Sequence, residues 1–416
     1  MNCRQTGIGL IATMVVLSVA LTGCGGGGTS GTAPTVSVNV QNAQWVAFQD
    51  GANGNWTTLA PSSGFSGAVP SSASDGRYSL AFVCGGTKPT VYVVHATRQE
   101  LPQASFTCAG AAPSSITVSG TVSGLSGGQA LVSIGETATA TTGTYDVNIS
   151  PGTYDALAVR IAGSVPNRVW LQRNRQFANN TTYNINFDQP DGTIVRVFDV
   201  SSGTLTVSGL DTLANETATV RILFQSGNRV SVVGVGSALN EATPTAYPRF
   251  PSGILGAAEQ FRVVVDTSEQ RGVVQVAASL PDSLTITLPP PYVNPTLSVN
   301  SAGAIQFSAS DFSYGASPVV GYQLTASAPS GARFEYFLTP GWLGNASSYA
   351  TPVLETVSGW QAAWNLTRGE SAEVGLRVYV SPSGATPQTV WSYLQGNPLP
   401  AGATLRYATR RQTLTP

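Results

Sequence analysis

The sequence predicts an all-β protein, built as three or four tandem β-sandwich modules that follow a signal peptide. Three observations carry this. Charged residues make up only 10% of the chain, against about 25% in an average soluble protein. Gly, Ser, Thr, Val and Ala take their place, and that composition suits sheets and tight turns better than long surface helices. Apolar and polar residues alternate at period two, as in Val36, Val38 and Val40. A short motif also recurs: Thr121-Val122-Ser123-Gly124-Leu125 returns 85 positions later as Thr206-Val207-Ser208-Gly209-Leu210.

The amino terminus reads as an export signal. Arg4 charges a short polar head, and Gly7 to Leu21 form an apolar core. That core is shorter than the roughly 20 apolar residues a membrane-spanning helix needs. It closes on Leu21-Thr22-Gly23-Cys24, which resembles the lipobox of bacterial lipoproteins. The resemblance implies a signal peptide over 1–23, cleavage before Cys24, and lipid on the Cys24 sulfur and new amino group. Residues 24–34, with Gly25 to Gly28, would form a flexible tether. The mature chain is then extracytoplasmic, with the membrane as a partner through its lipid anchor. Gly25, where an aspartate would favour inner-membrane retention, allows the outer membrane as well as the cell membrane. An ordinary secretory signal with a chance cysteine is the competing reading.

With Cys3 in the signal and Cys24 lipidated, Cys84 and Cys108 remain, each closing a strand-like run. Two cysteines in an exported domain are expected to pair. The loop between them would restrict the unfolded chain by roughly 3–4 kcal/mol in the entropy model. Two sulfurs without further local ligands do not complete a metal site.

The repeats set module boundaries. Thr35-Val36-Ser37-Val38 and Thr296-Leu297-Ser298-Val299 are openings of the same kind. Residues 35–112 form a first sandwich with the disulfide, 113–195 a second, 196–288 a third, and 296–416 an aromatic-rich β module. Ala112-Pro113 marks one break. Leu288-Pro289-Pro290-Pro291 and Pro295 mark another over 289–295, because proline cannot donate to a sheet ladder and makes a stiff spacer. In the first module Trp45 to Gln49 and Trp56 to Leu59 flank Asp50-Gly51, a hairpin with a tryptophan near each end. No segment shows a helix capped at both ends.

The second module carries Ser119-Gly120-Thr121-Val122, Gly127-Gly128, Gly143-Thr144-Tyr145 and Pro151-Gly152-Thr153-Tyr154. Over 118–161 this resembles the carboxypeptidase-regulatory-like β-sandwich. The resemblance implies a non-catalytic, transthyretin-like fold, so the modules are expected to be immunoglobulin-like or transthyretin-like sandwiches. The residues agree by themselves, with Gly and Pro-Gly for turns and tyrosines for one sheet face.

The chemistry-bearing residues are sparse. His95, the single histidine, lies in the strand-like Val91 to Ala96. It reads as a structural or surface histidine, with a catalytic base or metal ligand as the alternative. Gly124-Leu125-Ser126-Gly127-Gly128 matches a nucleophile elbow in letters, but a glycine turn and a further strand follow it rather than a helix. Asp188-Gln189-Pro190-Asp191-Gly192 reads as a turn rather than a calcium loop. No phosphate or dinucleotide loop appears, and no cofactor or metal is expected. Acids and bases nearly cancel, 21 against 20, and no basic stripe points to nucleic acid.

Tryptophan gathers in the last module. Trp342 and Trp360 each follow a glycine, and Trp364 lies close by. Core packing competes here with a flat platform for sugar rings or a partner. The expected role is a non-enzymatic envelope or surface lipoprotein, structural or binding, with the last module farthest from the membrane and polysaccharide or envelope proteins as partners. A carbohydrate-binding protein using Trp342, Trp360 and Trp364, and a glycoside hydrolase with two facing carboxylates, are the alternatives. A thiol assay on denatured, unreduced mature protein should find no reactive sulfur; two per chain would refute the Cys84–Cys108 bridge.

Overall fold

The computed structural model describes residues 34–110, 114–211, 214–241, 243–315 and 318–416. The signal peptide, the lipobox with Cys24 and the glycine tether lie outside these. Strands hold 56% of the described residues and helices 4%, so the fold is all-β, and its strands stack as β-sandwich modules that follow one another in sequence.

The first module contains β1 (Thr35–Gln41), β2 (Ala43–Asp50), β3 (Trp56–Ala60), β4 (Gly64–Pro70), β5 (Arg77–Cys84), β6 (Thr90–Thr97) and β7 (Gln103–Thr107). The second has β8 (Ile116–Ser123), β9 (Gln129–Ile134), β10 (Thr137–Thr141), β11 (Thr144–Ile149), β12 (Gly152–Ala162), β13 (Val165–Phe177), the two-residue β14 (Thr181–Thr182) and β15 (Ile185–Asn186), and β16 (Val195–Asp199). The third has β17 (Ser201–Ser208), β18 (Ala218–Ser226), β19 (Arg229–Leu239), β20 (Thr245–Arg249), β21 (Glu259–Thr267), β22 (Arg271–Ala277) and β23 (Ser283–Thr287). The last has β24 (Thr296–Asn300), β25 (Gln306–Ser310), β26 (Val319–Ser327), β27 (Arg333–Leu338), α1 (Pro340–Leu343), β28 (Ser348–Ala350), β29 (Ala372–Ser383), α2 (Pro387–Leu394) and β30 (Thr404–Leu414).

The opening strand takes the same place in the first three modules. β1 lies between antiparallel β4 and parallel β7, and β17 between antiparallel β20 and parallel β23. β8 pairs antiparallel β11 on one side and parallel β14 and β15 on the other. The repeated Thr-Val-Ser-Gly-Leu motif therefore marks equivalent positions at the ends of β8 and β17. Its glycines, Gly124 and Gly209, have φ of 74° and 82°, a left-handed conformation that side chains disfavour. A Cβ at Gly124 would also press on the Asp188 carboxyl at 2.8 Å.

Twelve strands from three modules share one sheet, in the order β19-β18-β21-β22-β30-β29-β26-β27-β6-β5-β2-β3. Two seams make this possible. β22 pairs antiparallel with β30, and β27 pairs parallel with β6, from Arg333 opposite Thr90 to Leu338 opposite His95. The expected row, with the last module at its far end, is thus corrected: the last module lies between the third and the first. Without the seams β6 and β22 would each carry a row of unpaired backbone groups, which favours closing them against another edge.

The seams change which faces are buried. Val46, Phe48, Leu80, Phe82 and Val94 face the small sheet β4-β1-β7. Trp45, Ala47, Ala81, Val83, Val91 and Val93 point the other way, into a cluster with Leu297, Phe307, Leu324, Leu376 and Val378. The run Tyr78 to Cys84, apolar but for Ser79, follows from this, since every residue of it is buried and a strand covered on both faces needs no polar alternation. The Cys84–Cys108 disulfide is formed, with Cα atoms 5.2 Å apart. It ties β5 to the segment after β7.

The second module keeps its own core of Val118, Val132, Tyr145, Val147, Ala158 and Trp170. The opposite face of its sheet, through Leu157, Val159 and Leu171, joins the core of the third module. Among the described residues four ion pairs cross that joint: Arg173–Glu259 at 2.5 Å, Arg229–Asp155 at 2.8 Å, Arg262–Glu136 at 2.6 Å and the longer Arg221–Glu136 at 4.0 Å.

Helix α2 was not anticipated. Its signals are nevertheless local: the Thr386 hydroxyl accepts the Thr389 N–H as N-cap, and Pro387 opens the helix. It buries Val390 and Trp391, and the Trp391 indole donates to the Ser105 carbonyl of the first module at 3.1 Å. The proline segment 289–295 is held in the body rather than standing clear of it. The Arg271 guanidinium donates to the carbonyls of Pro289 and Gly209 and forks onto Glu216, while Tyr292 is buried. Arg271 and Glu216 are themselves 3% and 0% exposed at their side chains. Arg271→Met alone should lower unfolding stability by roughly 3–5 kcal/mol in urea titrations, because it strands a buried carboxylate. The double change Glu216→Leu/Arg271→Met should recover most of that loss; equal destabilisation of both variants would refute the buried-pair account.

Candidate binding surface

The aromatic residues of the last module meet those of the first. Trp45 on β2 is fully buried, and its indole N–H donates to the Ser358 carbonyl at 3.0 Å. Its ring meets Trp360 edge-on at 5.4 Å and Trp364 at 6.2 Å, and those two meet each other at 5.3 Å. Trp364 is 2% exposed, so the expectation that it offers a flat face to a ligand is corrected. Trp360 is half-buried, and its N–H is taken by the Asn365 side chain at 2.7 Å. The Thr58 hydroxyl also donates to Ser358. The loop carrying Ser358 and Trp360 therefore closes over the β2–β3 hairpin.

A slit opens beside this cluster between Phe307, Phe334, Tyr336, Trp360 and Leu366. Its free interior is only about 20 Å³, room for about one water. A sugar ring does not fit without movement of the walls. The indoles here act as packing, at ring separations where edge-to-face pairs stabilise by roughly 0.5–1.5 kcal/mol each.

Trp342 belongs to a different group. It follows the cap of α1 and lies on His95 with ring centroids 4.3 Å apart. His95, on β6, is 2% exposed. Its Nδ1 meets the Ser79 hydroxyl at 2.7 Å and its Nε2 the Tyr349 hydroxyl at 2.8 Å. Each hydroxyl can donate or accept, so either neutral tautomer is satisfied. Ser79 and His95 have the separation of a nucleophile and its base, but no carboxylate stands behind the imidazole and neither side chain reaches solvent. The group bonds three strands, β5, β6 and β28, at the parallel seam. Sequence reading missed Ser79 and Tyr349. The one local sign was a serine and a histidine inside otherwise apolar strands.

The most buried carboxylates are committed elsewhere. Asp155, Glu216 and Glu259 are the most buried, and each holds an arginine. Burial raises the pKa of Glu259, but the Arg173 fork and the Gly256 N–H outweigh it and hold it below the ordinary value. In the Asp188–Gly192 turn the Arg196 guanidinium holds the Asp191 carboxyl below its usual range, and the Val197 N–H adds to this at 2.9 Å. Ser126 of the elbow-like motif sits in a turn that runs into β9. Among the described residues no three His, Cys, Asp or Glu side chains gather as a metal site, and no helix is long and apolar enough to cross a membrane.

No family model and no curated protein matches the chain. Solved structures similar to it include a Ca2+-stabilised adhesin that helps an Antarctic bacterium bind ice, 12% identical, covering 91% of this chain and 90% of that one at a TM-score of 0.16. The FN1–FN3 domains of chicken CNTN1 are 10% identical, with 91% of each chain covered and a TM-score of 0.17. A tetra-tandem repeat from the extending region of a large adhesion protein is 10% identical, with 90% and 92% covered and a TM-score of 0.13. TM-scores this low establish no shared fold, and the architecture rests on the chain's own strands.

Burial depresses the His95 pKa from 6.5 to about 3. The unfolded chain therefore binds a proton that the folded one refuses, and stability falls as pH drops through the window from 6.5 toward 3. Between pH 7 and pH 5, where carboxylates stay ionised, the loss should be about 2 kcal/mol. In His95→Gln that slope should flatten in urea titrations; an unchanged slope would show that another group carries it.

Proposed function

We propose that this chain is a non-enzymatic, lipid-anchored protein of the bacterial envelope or surface, with a structural or binding role. The disposition of its reactive groups supports this reading most directly. The single histidine is sealed beneath Trp342, and the buried acids each hold an arginine. A hydrolytic site needs such groups free and facing a cleft. The Leu21-Thr22-Gly23-Cys24 motif and the apolar core before it support anchoring at Cys24. The Cys84–Cys108 bridge suits an oxidising, extracytoplasmic compartment. The carboxypeptidase-regulatory-like pattern over 118–161 supports a non-catalytic second module.

On this reading the chain offers a stiff body close to the membrane. The tether ends one residue before β1, and β1 is bonded on both sides. Polysaccharide or envelope proteins are the proposed partners, met by the rigid outer faces rather than by a row of tryptophans, since the indoles turn their faces on one another and on His95.

The anchor is tested by Cys24→Ala. That variant should move from the membrane fraction to the aqueous one and should no longer incorporate labelled fatty acid. Wild-type protein that is already soluble without detergent would sink the reading.

A further inference from the structure

His95 lies under a cover that is lightly held. Between Leu338 and Tyr349 only Thr339 and Leu343 are buried. The ends of this segment are fixed: the Thr339 N–H donates to the His95 carbonyl at 2.9 Å, and the Asp311 N–H to the Ser347 carbonyl at 2.8 Å. Between them, among the described residues, one hydrogen bond ties residues 340–346 to the rest of the molecule, from the Gly341 N–H to the Glu100 carboxylate at 2.6 Å. The other bonds of α1 are internal or go to its cap, Thr339. Leu343 is the side chain that α1 buries, and the indole N–H of Trp342 has no partner. Local opening of such a segment costs far less than unfolding a sheet.

What the segment covers responds to acid. A neutral imidazole takes one hydrogen bond and gives one, and the Ser79 and Tyr349 hydroxyls complete both, at 2.7 and 2.8 Å. A protonated ring gives two. Both hydroxyls must then accept, and among the described residues neither has a further partner to take its own hydrogen. No counter-charge is bonded to the ring. Burial holds Tyr322, Tyr336 and Tyr349 un-ionised, and Leu338, opposite His95 on β27, is apolar. The charged groups beside the segment are Glu100 and Arg77. Glu100 is bonded to the segment itself, and Arg77 pairs with Asp75 at 3.5 Å. The attraction of the Trp342 face for a cation is small beside the hydration lost on burying one.

We propose that residues 340–346 form an acid-released lid: a proton taken up by His95 swings the segment, with Trp342, off the seam while the strands behind it stay paired. The open form lets water reach the imidazolium and the unpartnered indole N–H. The populations required are modest. In the open form His95 regains its ordinary value of 6.5. If about one molecule in a hundred is open at neutral pH, half are open about two units below that value, near pH 4.5. The lid needs neither the anchor at Cys24 nor a partner.

The test uses the full chain. On acid titration the emission difference between it and Trp342→Phe should shift to longer wavelength, reversibly and as a one-proton step, with a midpoint between about pH 3 and pH 6.5. Far-UV circular dichroism should hold its sheet signal through that step. His95→Gln should abolish the shift. Hydrogen exchange reads the same event without a variant: the Gly341, Leu343 and Gly344 amides should lose protection at the midpoint while those of Phe334 to Leu338 keep theirs. At pH 7, where the lid is mostly shut, diethyl pyrocarbonate should modify His95, the single histidine, at least about tenfold faster in Glu100→Ala or Leu343→Ala than in the natural chain. An emission shift that survives His95→Gln, loss of sheet signal in the same step, or an unchanged modification rate in both lid variants would overturn the proposal.

Discussion

The parallel pairing of Thr90–Thr97 with Arg333–Leu338 is the constraint on which the rest of the molecule depends. A parallel pair needs a crossover between its strands, and here the crossover contains the whole second and third modules. Closing so long a loop costs little more than closing a short one, because the entropy grows only with the logarithm of length. What the seam brings is burial on both sides of β5 and β6. One face lies under β4-β1-β7 and the other meets the core of the last module. The antiparallel seam of β22 with β30 then draws the third module into the same sheet.

Polar groups in this molecule mark places where modules meet. Glu216 with Arg271 secures both the turn at Gly209 and the exit at Pro289. Asp155, Glu259 and Glu136 take arginines across the joint of the second and third modules. Ser79, His95 and Tyr349 lie at the parallel seam. Such groups contribute modestly to net stability once desolvation is counted. Their stronger effect is to penalise a wrong register, because any slip leaves a buried donor or charge unpaired. A chain with few charges, placing several of them at joints, uses them for alignment.

The aromatic residues of the last module differ in what they cover. The slit beside Trp360 is walled by closely packed aromatic rings and holds about a water. Trp342 instead lies over a histidine, on a segment tied down by few bonds. Aromatic density, which drew attention in the sequence, marks tight packing in the first place and a light cover in the second.

The all-β class, the opening strands, the β2–β3 hairpin, the turn at Asp191 and the pairing of Cys84 with Cys108 were legible in the sequence by itself. Each rests on local rules: period-two alternation, turn residues that tolerate positive φ, and two cysteines in an exported chain. The cap of α2, Thr386-Pro387, was legible too and was overlooked. Tertiary structure alone decided that three modules share one sheet, that Trp364 is buried, that His95 meets Tyr349 across 254 positions, and that Trp342 closes over it. The reason is physical. Strand edges pair through backbone groups that every residue carries, so the choice of partner leaves almost no mark on side-chain order.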